Sequence, residues 1–148
     1  DCDTESLYAT SVAGSTARSE LGRIFRIDLA SRAVTVEREG VDALAVSVFV
    51  ASSGKRLYYA PARTAEVRSV ALDAGGGVVE GEPRLEVALG AVVRGGRDAV
   101  RRIRFAEGPQ MRLFLMDFTY SLQIAGEREE DEIRYAYDRT IDAWVPAP

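Results

Sequence analysis

The chain concentrates carboxylates in one short stretch, and carboxylate oxygens are what hard cations prefer. The stretch holds Glu127, Glu129, Glu130, Asp131 and Glu132. Within it, Glu129, Glu130 and Asp131 are the candidate ligands of a calcium ion. The spacing differs from the alternate D-x-D-x-D-G pattern of a dedicated calcium loop, and Arg128 interrupts it. A solvated hairpin tip is therefore the alternative. We expect either no cofactor or a calcium ion here.

A second candidate is Asp117, which sits inside the apolar run FLMDFTY. A carboxylate in such surroundings must be paired or neutral, which makes it a candidate binding residue. An ion pair with Arg102 or Arg104 is the structural alternative. Tyr120, three residues on, is a candidate for stacking on a sugar or peptide, although aromatic residues on strands commonly serve packing.

A third candidate is the stretch Arg94-Gly95-Gly96-Arg97. Backbone N–H groups in a glycine-rich loop and two flanking guanidinium groups can hold an anion. Arg94 and Arg97 are therefore candidate binding residues. A flexible connector is the alternative interpretation.

Composition removes several kinds of catalytic chemistry. The chain has no His, which excludes Ser-His-Asp and Cys-His catalysis and every imidazole metal site. Cys2 is the single cysteine, so it forms no internal disulfide and no thiolate zinc site. We assign no catalytic residue, and the sequence favours a non-enzymatic protein without deciding the point.

Length and charge indicate the class of protein. At 148 residues, with 47% hydrophobic and 28% charged residues, the chain has the size and composition of one globular domain. Its net charge of −4 gives no reason to expect nucleic acid as a partner. No run approaches the roughly 18 apolar residues of a membrane span. Asp rather than Met at position 1 suggests a cleaved signal peptide, and we expect a periplasmic or secreted bacterial protein, with a lipid anchor near Cys2 as a further option.

Apolar residues recur at every second position and not at three and four, which predicts strands and no helix. The predicted strands are Ser6–Ser11, 22–29, 34–38, Ala45–Ala51, 56–60, 66–72, 84–89, 100–105, 111–118, 133–138 and 141–145. The run Ala45–Ala51 is apolar on both faces apart from Ser47, which predicts a central strand covered on both sides. The DAGGG segment, residues 73–77, is expected to be a loose hairpin tip that tolerates insertions.

The strands repeat in units of approximately 6–39, 45–89 and 100–145. The second strands carry the equivalent segments Leu7-Tyr8-Ala9, Leu57-Tyr58-Tyr59-Ala60 and Leu113-Phe114-Leu115-Met116. The third strands carry RIFRID from Arg23, EVRSVA from Glu66 and EIRYAY from Glu132. The first strands start about 55 residues apart, and a period near 50 with four strands a unit is typical of propeller blades.

The segment SSGKRLYYA followed by AEVRSVALD resembles the SPDGK-x-LYV … I-x-V-x-D-L pattern of the TolB, lactonase and SMP-30-like propeller families. The resemblance covers most of residues 45–89. It implies an all-β fold, an antiparallel meander of four-stranded propeller-type units with about three blades. Lactonases similar to SMP-30 bind their metal through acidic residues and an asparagine, and this chain has no Asn. Three units do not close a ring of the usual size, so a single antiparallel β-barrel or sandwich is the alternative fold.

These observations favour a non-catalytic binding or assembly module of an exported bacterial protein. We expect a homo-oligomer, or a partner chain that completes the sheets, because open sheet ends and edges promote association. A metal-dependent small-molecule hydrolase or lactonase of propeller type is the alternative from another class. A lipocalin-like ligand carrier is the third hypothesis, and it requires a closed barrel.

Overall fold

The computed structural model describes residues 1–90, 98–106, 108–117 and 132–148, with only the backbone at Asp98, Met116 and Asp117. This part of the chain forms eleven strands and no helix. The strands are β1 (Ser6–Ser11), β2 (Arg23–Asp28), β3 (Val34–Glu39), β4 (Ala43–Ala51), β5 (Gly54–Pro61), β6 (Glu66–Ala71), β7 (Arg84–Ala88), β8 (Asp98–Ala106), β9 (Gln110–Asp117), β10 (Glu132–Asp138) and β11 (Ala143–Pro146). The alternation of apolar residues therefore located every one of these strands.

The strands form three antiparallel sheets in which each strand pairs with its neighbour in sequence. Sheet 1 has the order β1-β2-β3, sheet 2 the order β4-β5-β6-β7, and sheet 3 the order β8-β9-β10-β11. The predicted all-β fold, an antiparallel meander of three units, is thus confirmed, with three, four and four strands a unit. The strands of the described part do not close into a single barrel, so the barrel alternative is wrong. Among these residues no helix has the length and apolar character needed to cross a membrane.

Sheet 2 lies between the other two sheets and is covered on both faces. Along β5, Leu57 and Tyr59 point into an apolar cluster shared with sheet 1, and Tyr58 and Ala60 point into one shared with sheet 3. All four side chains are fully or almost fully buried. Because successive side chains on a strand point to opposite faces, this continuous apolar run is what a doubly covered strand requires.

An aromatic cluster joins sheet 2 to sheet 3. Its members are Phe49, Tyr58, Phe105, Tyr137 and Trp144, with neighbouring ring centroids 4.9–6.1 Å apart. The indole Nε1 of Trp144 donates a hydrogen bond to the Tyr58 hydroxyl at 3.2 Å. Edge-to-face and tilted contacts of this kind stabilise an interface beyond the area they bury.

The structure confirms that both faces of β4 are covered and corrects the predicted position of β4 within its sheet. Phe49 packs towards sheet 3, and Val46 and Val48 pack towards sheet 1, so both faces are covered. However, among the described strands β4 pairs with β5 alone, so it is an edge strand and not a central one. Both faces of β4 are apolar because sheets 1 and 3 pack on them, whereas a central strand would need hydrogen-bonded strands along both of its edges.

The register of the sheets tests the proposed repeat. Leu7 pairs with Ile27 in sheet 1, and Leu57 pairs with Val70 in sheet 2, as the alignment of the units requires. In sheet 3, Leu113 pairs with Ile133, so the alignment of the third strands is wrong there by three residues. The alignment matched Glu66, which begins β6, with Glu132, which begins β10. In the structure, the pairing instead places the aliphatic residues Leu113 and Ile133 opposite each other.

The β6–β7 loop is not the loose hairpin tip that its glycines indicated. The carbonyl of Gly76 accepts a hydrogen bond from the Tyr8 hydroxyl at 2.5 Å, and that of Gly75 accepts one from Arg26 Nη1 at 2.8 Å. Gly76 has a φ of +81°, and a Cβ there would stand 2.9 Å from Tyr8 Oη. The loop is therefore docked on sheet 1, and its glycines permit that close approach.

We predict that Gly76→Ala destabilises the protein by about 1 kcal/mol more than Gly54→Ala, because it also displaces the Tyr8 hydroxyl. Gly54 is a matched control, with a φ of +115° and open space where a Cβ would stand. Urea unfolding of both variants measures the difference. Equal losses of unfolding free energy would show that the loop does not pack on sheet 1.

We also predict that Leu57→Ala lowers the free energy of unfolding by about 2–5 kcal/mol, the range for a buried leucine. Leu7→Ala, at the equivalent position of sheet 1, should change the stability of the dissociated chain by less than about 0.5 kcal/mol. The reason is exposure, since Leu57 is 0% exposed and Leu7 is 52% exposed. Thermal or urea unfolding at low protein concentration compares the two, and similar losses would refute the difference between the sheets.

Candidate functional site

The residues that the sequence singled out cannot be placed as a site. Arg94, Arg97, Tyr120 and the metal candidates Glu129, Glu130 and Asp131 all lie outside the described residues. Asp117 is described only as backbone, at the end of β9 and opposite Asp98 in the register. These assignments stay predictions. Within the described ranges, no group of three or more Cys, Asp or Glu side chains is placed to hold a metal ion.

The structure instead shows a groove of about 730 Å³ between the edge of β1 and the first strand of sheet 2. We call it the β1 groove. One wall consists of Asp1–Asp3 together with Leu7 and Tyr8 of β1. The other wall consists of Gly108, Pro109 and Arg139, from turns of sheet 3. Lys55 and Val46–Val50 of β4 complete the lining. A cavity of this size is in the range of ligand-binding pockets.

The floor of the β1 groove is aliphatic. Side chains alternate along β4, so Val46, Val48 and Val50 share the face directed towards sheet 1. Val46 and Val48 pack against the buried cluster that contains Ile24. Val50 is 59% exposed although it is an aliphatic residue on a strand. The floor thus continues the apolar packing between the two sheets into open space.

One wall of the groove presents backbone groups that no described strand pairs with. The Leu29 N–H donates to the Glu5 carbonyl at 2.9 Å, which sets the phase of hydrogen bonding between β1 and β2. Every second residue of β1 then bonds to β2, and the N–H and C=O groups of Tyr8 and Thr10 point away from it. In the described part of the chain no strand pairs with this edge.

An ion cluster holds the end of the groove in place. Lys55 Nζ lies 3.0 Å from a carboxylate oxygen of Asp1 and 3.0 Å from one of Asp3. The backbone N–H of Ser6 donates to the Asp1 carbonyl at 3.1 Å, which occupies the first outward position of β1. Burial raises the pKa of the Tyr8 hydroxyl above its ordinary value, so this wall carries a neutral phenol at physiological pH. The described lining thus offers apolar surface, backbone hydrogen-bond groups and the charged residues Asp1, Asp3, Lys55 and Arg139.

A second polar cluster ties sheet 2 to sheet 3. The Asp142 carboxylate accepts hydrogen bonds from the Tyr137 hydroxyl and, at 2.6 Å, from Arg84 Nη1. The hydrogen bond from Tyr137 is the largest cause of the lowered pKa of Asp142, and it acts together with Arg84 against the smaller opposing effect of burial. The Tyr137 oxygen also accepts from the Ser52 N–H at 2.6 Å. Ser52 and Arg84 are distant in sequence from Tyr137 and Asp142, so no local pattern indicated the cluster.

A third polar cluster anchors the segment before β2. Burial raises the pKa of the Asp42 carboxyl, but hydrogen bonds from Ser15, Arg63 and the Gly22 N–H outweigh it, and the net pKa is below the ordinary value. Arg63 Nη2 lies 3.0 Å from the Asp42 carboxylate and also donates to the Thr16 carbonyl at 2.6 Å. The cluster thus joins the segment before β2 to Asp42, which precedes β4, and to Arg63, which follows β5.

Comparison with known proteins does not extend the assignment. No protein-family model matches the chain, and a search of curated proteins finds no match either.

We predict that Asp142→Asn lowers the free energy of unfolding at pH 7 and that this difference from the wild type shrinks in acid. A carboxyl whose pKa is lower in the folded state than the ordinary 3.8 stabilises the fold at neutral pH. That contribution declines as the pH falls below about 4, towards the folded-state pKa. Urea unfolding followed by the fluorescence of Trp144, the single tryptophan, measures it at each pH.

Glu39→Gln is the control for this experiment. Glu39 forms an ion pair with Arg23 at 3.0 Å, but its side chain is largely exposed. Surface pairs contribute little, so this variant should stay within about 0.5 kcal/mol of the wild type. A difference between wild type and Asp142→Asn that is constant from pH 7 to pH 3 would contradict the assigned role of the carboxylate.

Proposed function

We propose that the chain is a non-catalytic binding and assembly module with a propeller-type surface, which docks a further β-sheet unit on the outer face of sheet 1. That outer face is the side of sheet 1 turned away from sheet 2. Its apolar residues are Leu7, Phe25, Ile27, Val34 and Val36. In this proposal the binding surface is the outer face of sheet 1, and binding occurs through apolar contact.

The observation that carries the proposal is a contrast between equivalent leucines. Leu57 and Leu113 pack against the preceding sheet and are both 0% exposed. Leu7 occupies the same position in sheet 1, and it is 52% exposed. The same face thus forms an interface twice within the chain and lies open a third time. Contiguous apolar surface of this kind is typical of protein interaction sites.

The opposite end of the stack offers the complementary half. Phe114 is the sheet 3 equivalent of Tyr8 and Tyr58, the aromatic residues that sheets 1 and 2 direct towards the next sheet. The Phe114 ring has the guanidinium carbons of Arg102 and Arg104 at 5.2 and 5.8 Å from its centroid. A second copy could therefore place its sheet 1 on this end. Such a head-to-tail contact gives a ring if the rotation closes and a filament if it does not.

We predict that the protein self-associates, with a mass above 16.1 kDa by light scattering at about 50 µM, and that Val34→Asp restores the monomer. The substitution places a carboxylate in the apolar interface, where its desolvation is costly. Leu85→Asp is the control because Leu85, on β7 of the middle sheet, is 50% exposed and belongs to neither end sheet of the stack. Circular dichroism confirms that each variant is folded.

Two results would contradict the proposal. A wild-type protein that stays a compact monomer at every concentration would exclude self-association. Dissociation by Leu85→Asp to the same extent as by Val34→Asp would move the interface away from sheet 1.

A further inference from the structure

We infer that the β1 groove binds an extended peptide segment of another polypeptide, which adds to sheet 1 as a fourth strand antiparallel to β1. This inference concerns the free edge of sheet 1, whereas the docking surface above is its outer face. It stands on separate observations and does not depend on self-association.

The internal repeat shows what occupies this position elsewhere. In sheet 2, β4 lies beside β5 and pairs Val48 with Leu57. In sheet 3, β8 lies beside β9 and pairs Ile103 with Leu113. Leu7 of β1 is the equivalent of these two leucines, and the β1 groove lies beside it. The chain thus uses the same position twice for an extended strand.

The backbone of β1 has the groups that such a strand needs. Ser6 is engaged by the Asp1 carbonyl, which leaves Leu7–Ser11 as the open edge. Within it, the outward N–H and C=O groups of Tyr8 and Thr10 are the donors and acceptors of an antiparallel ladder. Recognition of a peptide by an exposed sheet edge takes most of its affinity from these main-chain bonds.

The floor of the groove specifies the side chains of the peptide. In the sheet 2–sheet 3 interface, residues of β8 pack on one face of β4, as the 4.9 Å separation of the Phe49 and Phe105 ring centroids shows. The other face of β4 presents Val46, Val48 and Val50 to the β1 groove. A strand there faces this surface with every second residue, so the favoured peptide alternates aliphatic and polar residues.

The shape of the groove favours a single strand over the edge of a folded second copy. Residues of β1 and Asp1–Asp3 bound it on one side, and the turn residues Gly108, Pro109 and Arg139 bound it on the other. An edge strand of a second copy brings its neighbouring strands with it, about 4.8 Å apart, and these meet the walls. The open edge of β1 matches a peptide core of about five residues, roughly 17 Å long.

The test uses a fluorescein-labelled peptide, TVTVKVT, capped at both ends, and measures fluorescence anisotropy as the protein is titrated. We expect saturable binding. The peptide TVTPKVT, in which proline removes the central N–H and one aliphatic side chain, should bind at least tenfold more weakly.

Two variants of the protein locate the site. Val50→Asp places a charge on the groove floor, and Thr10→Pro removes one outward N–H of β1 without removing a bond to β2. Each should weaken peptide binding at least tenfold. Leu85→Asp, at an exposed position of β7 with 50% exposure against 59% for Val50, is the control and should bind as the wild type does. Thermal unfolding verifies that each variant is folded, and Val50→Asp decides if Thr10→Pro is not.

Any of three results would overturn the inference. The first is no saturable binding of TVTVKVT up to 1 mM. The second is equal binding of the proline peptide or equal binding by Val50→Asp. The third is a Val50→Asp variant that loses self-association instead of peptide binding, which would assign the groove to a second copy of the chain. Loss of self-association in Val34→Asp leaves the peptide result unchanged, so the two proposals fail independently.

Discussion

The structure depends on the burial of sheet 2 on both faces. In β5, Leu57, Tyr58, Tyr59 and Ala60 are consecutive, and all are at most 2% exposed. Two point to sheet 1 and two to sheet 3, so one strand supplies the cores of both interfaces. A shift of register by one residue would exchange the two sets and place each in the wrong cluster. The pairing of β5 with its neighbours is therefore strongly specified, and the positions of sheets 1 and 3 follow from it.

Because the three sheets stack face to face, similar strands form the buried faces inside the stack and the exposed faces at its two ends. Each unit presents apolar residues to its neighbours, as β5 does with Leu57 and Tyr59 towards sheet 1 and Tyr58 and Ala60 towards sheet 3, so the last exposed faces resemble interfaces that are already formed. The open face at Leu7 and the open edge at Tyr8 are two such surfaces, one suited to a sheet and one to a strand. We propose that the face binds through apolar contact and the edge through backbone hydrogen bonds, and the proposed binding function rests on these two surfaces.

Much of the fold was predictable from the sequence because alternation and turns are local signals. The strands and the unit boundaries rest on them. The register of β10, the docking of Gly76 on Tyr8 and the link between Arg84 and Asp142 were not predictable, because each depends on residues distant in sequence. The β1 groove was missed for the same reason, since its lining comes from several separate segments. The candidate sites at 129–131, at Arg94 and Arg97 and at Asp117 were inferred from local composition. Local composition does not indicate which residues surround a side chain in the folded protein.

Residue-resolved amide hydrogen exchange measures both the burial of β5 within a covered sheet and the openness of the outer edge of β1. At low protein concentration we expect the slowest exchange at Leu57 and Tyr58, and an alternating pattern in β1. There Leu7 and Ala9 should be protected by β2, while Tyr8 and Thr10 exchange quickly. Uniform protection along β1, or fast exchange in β5, would contradict this account of the fold and of its open edge.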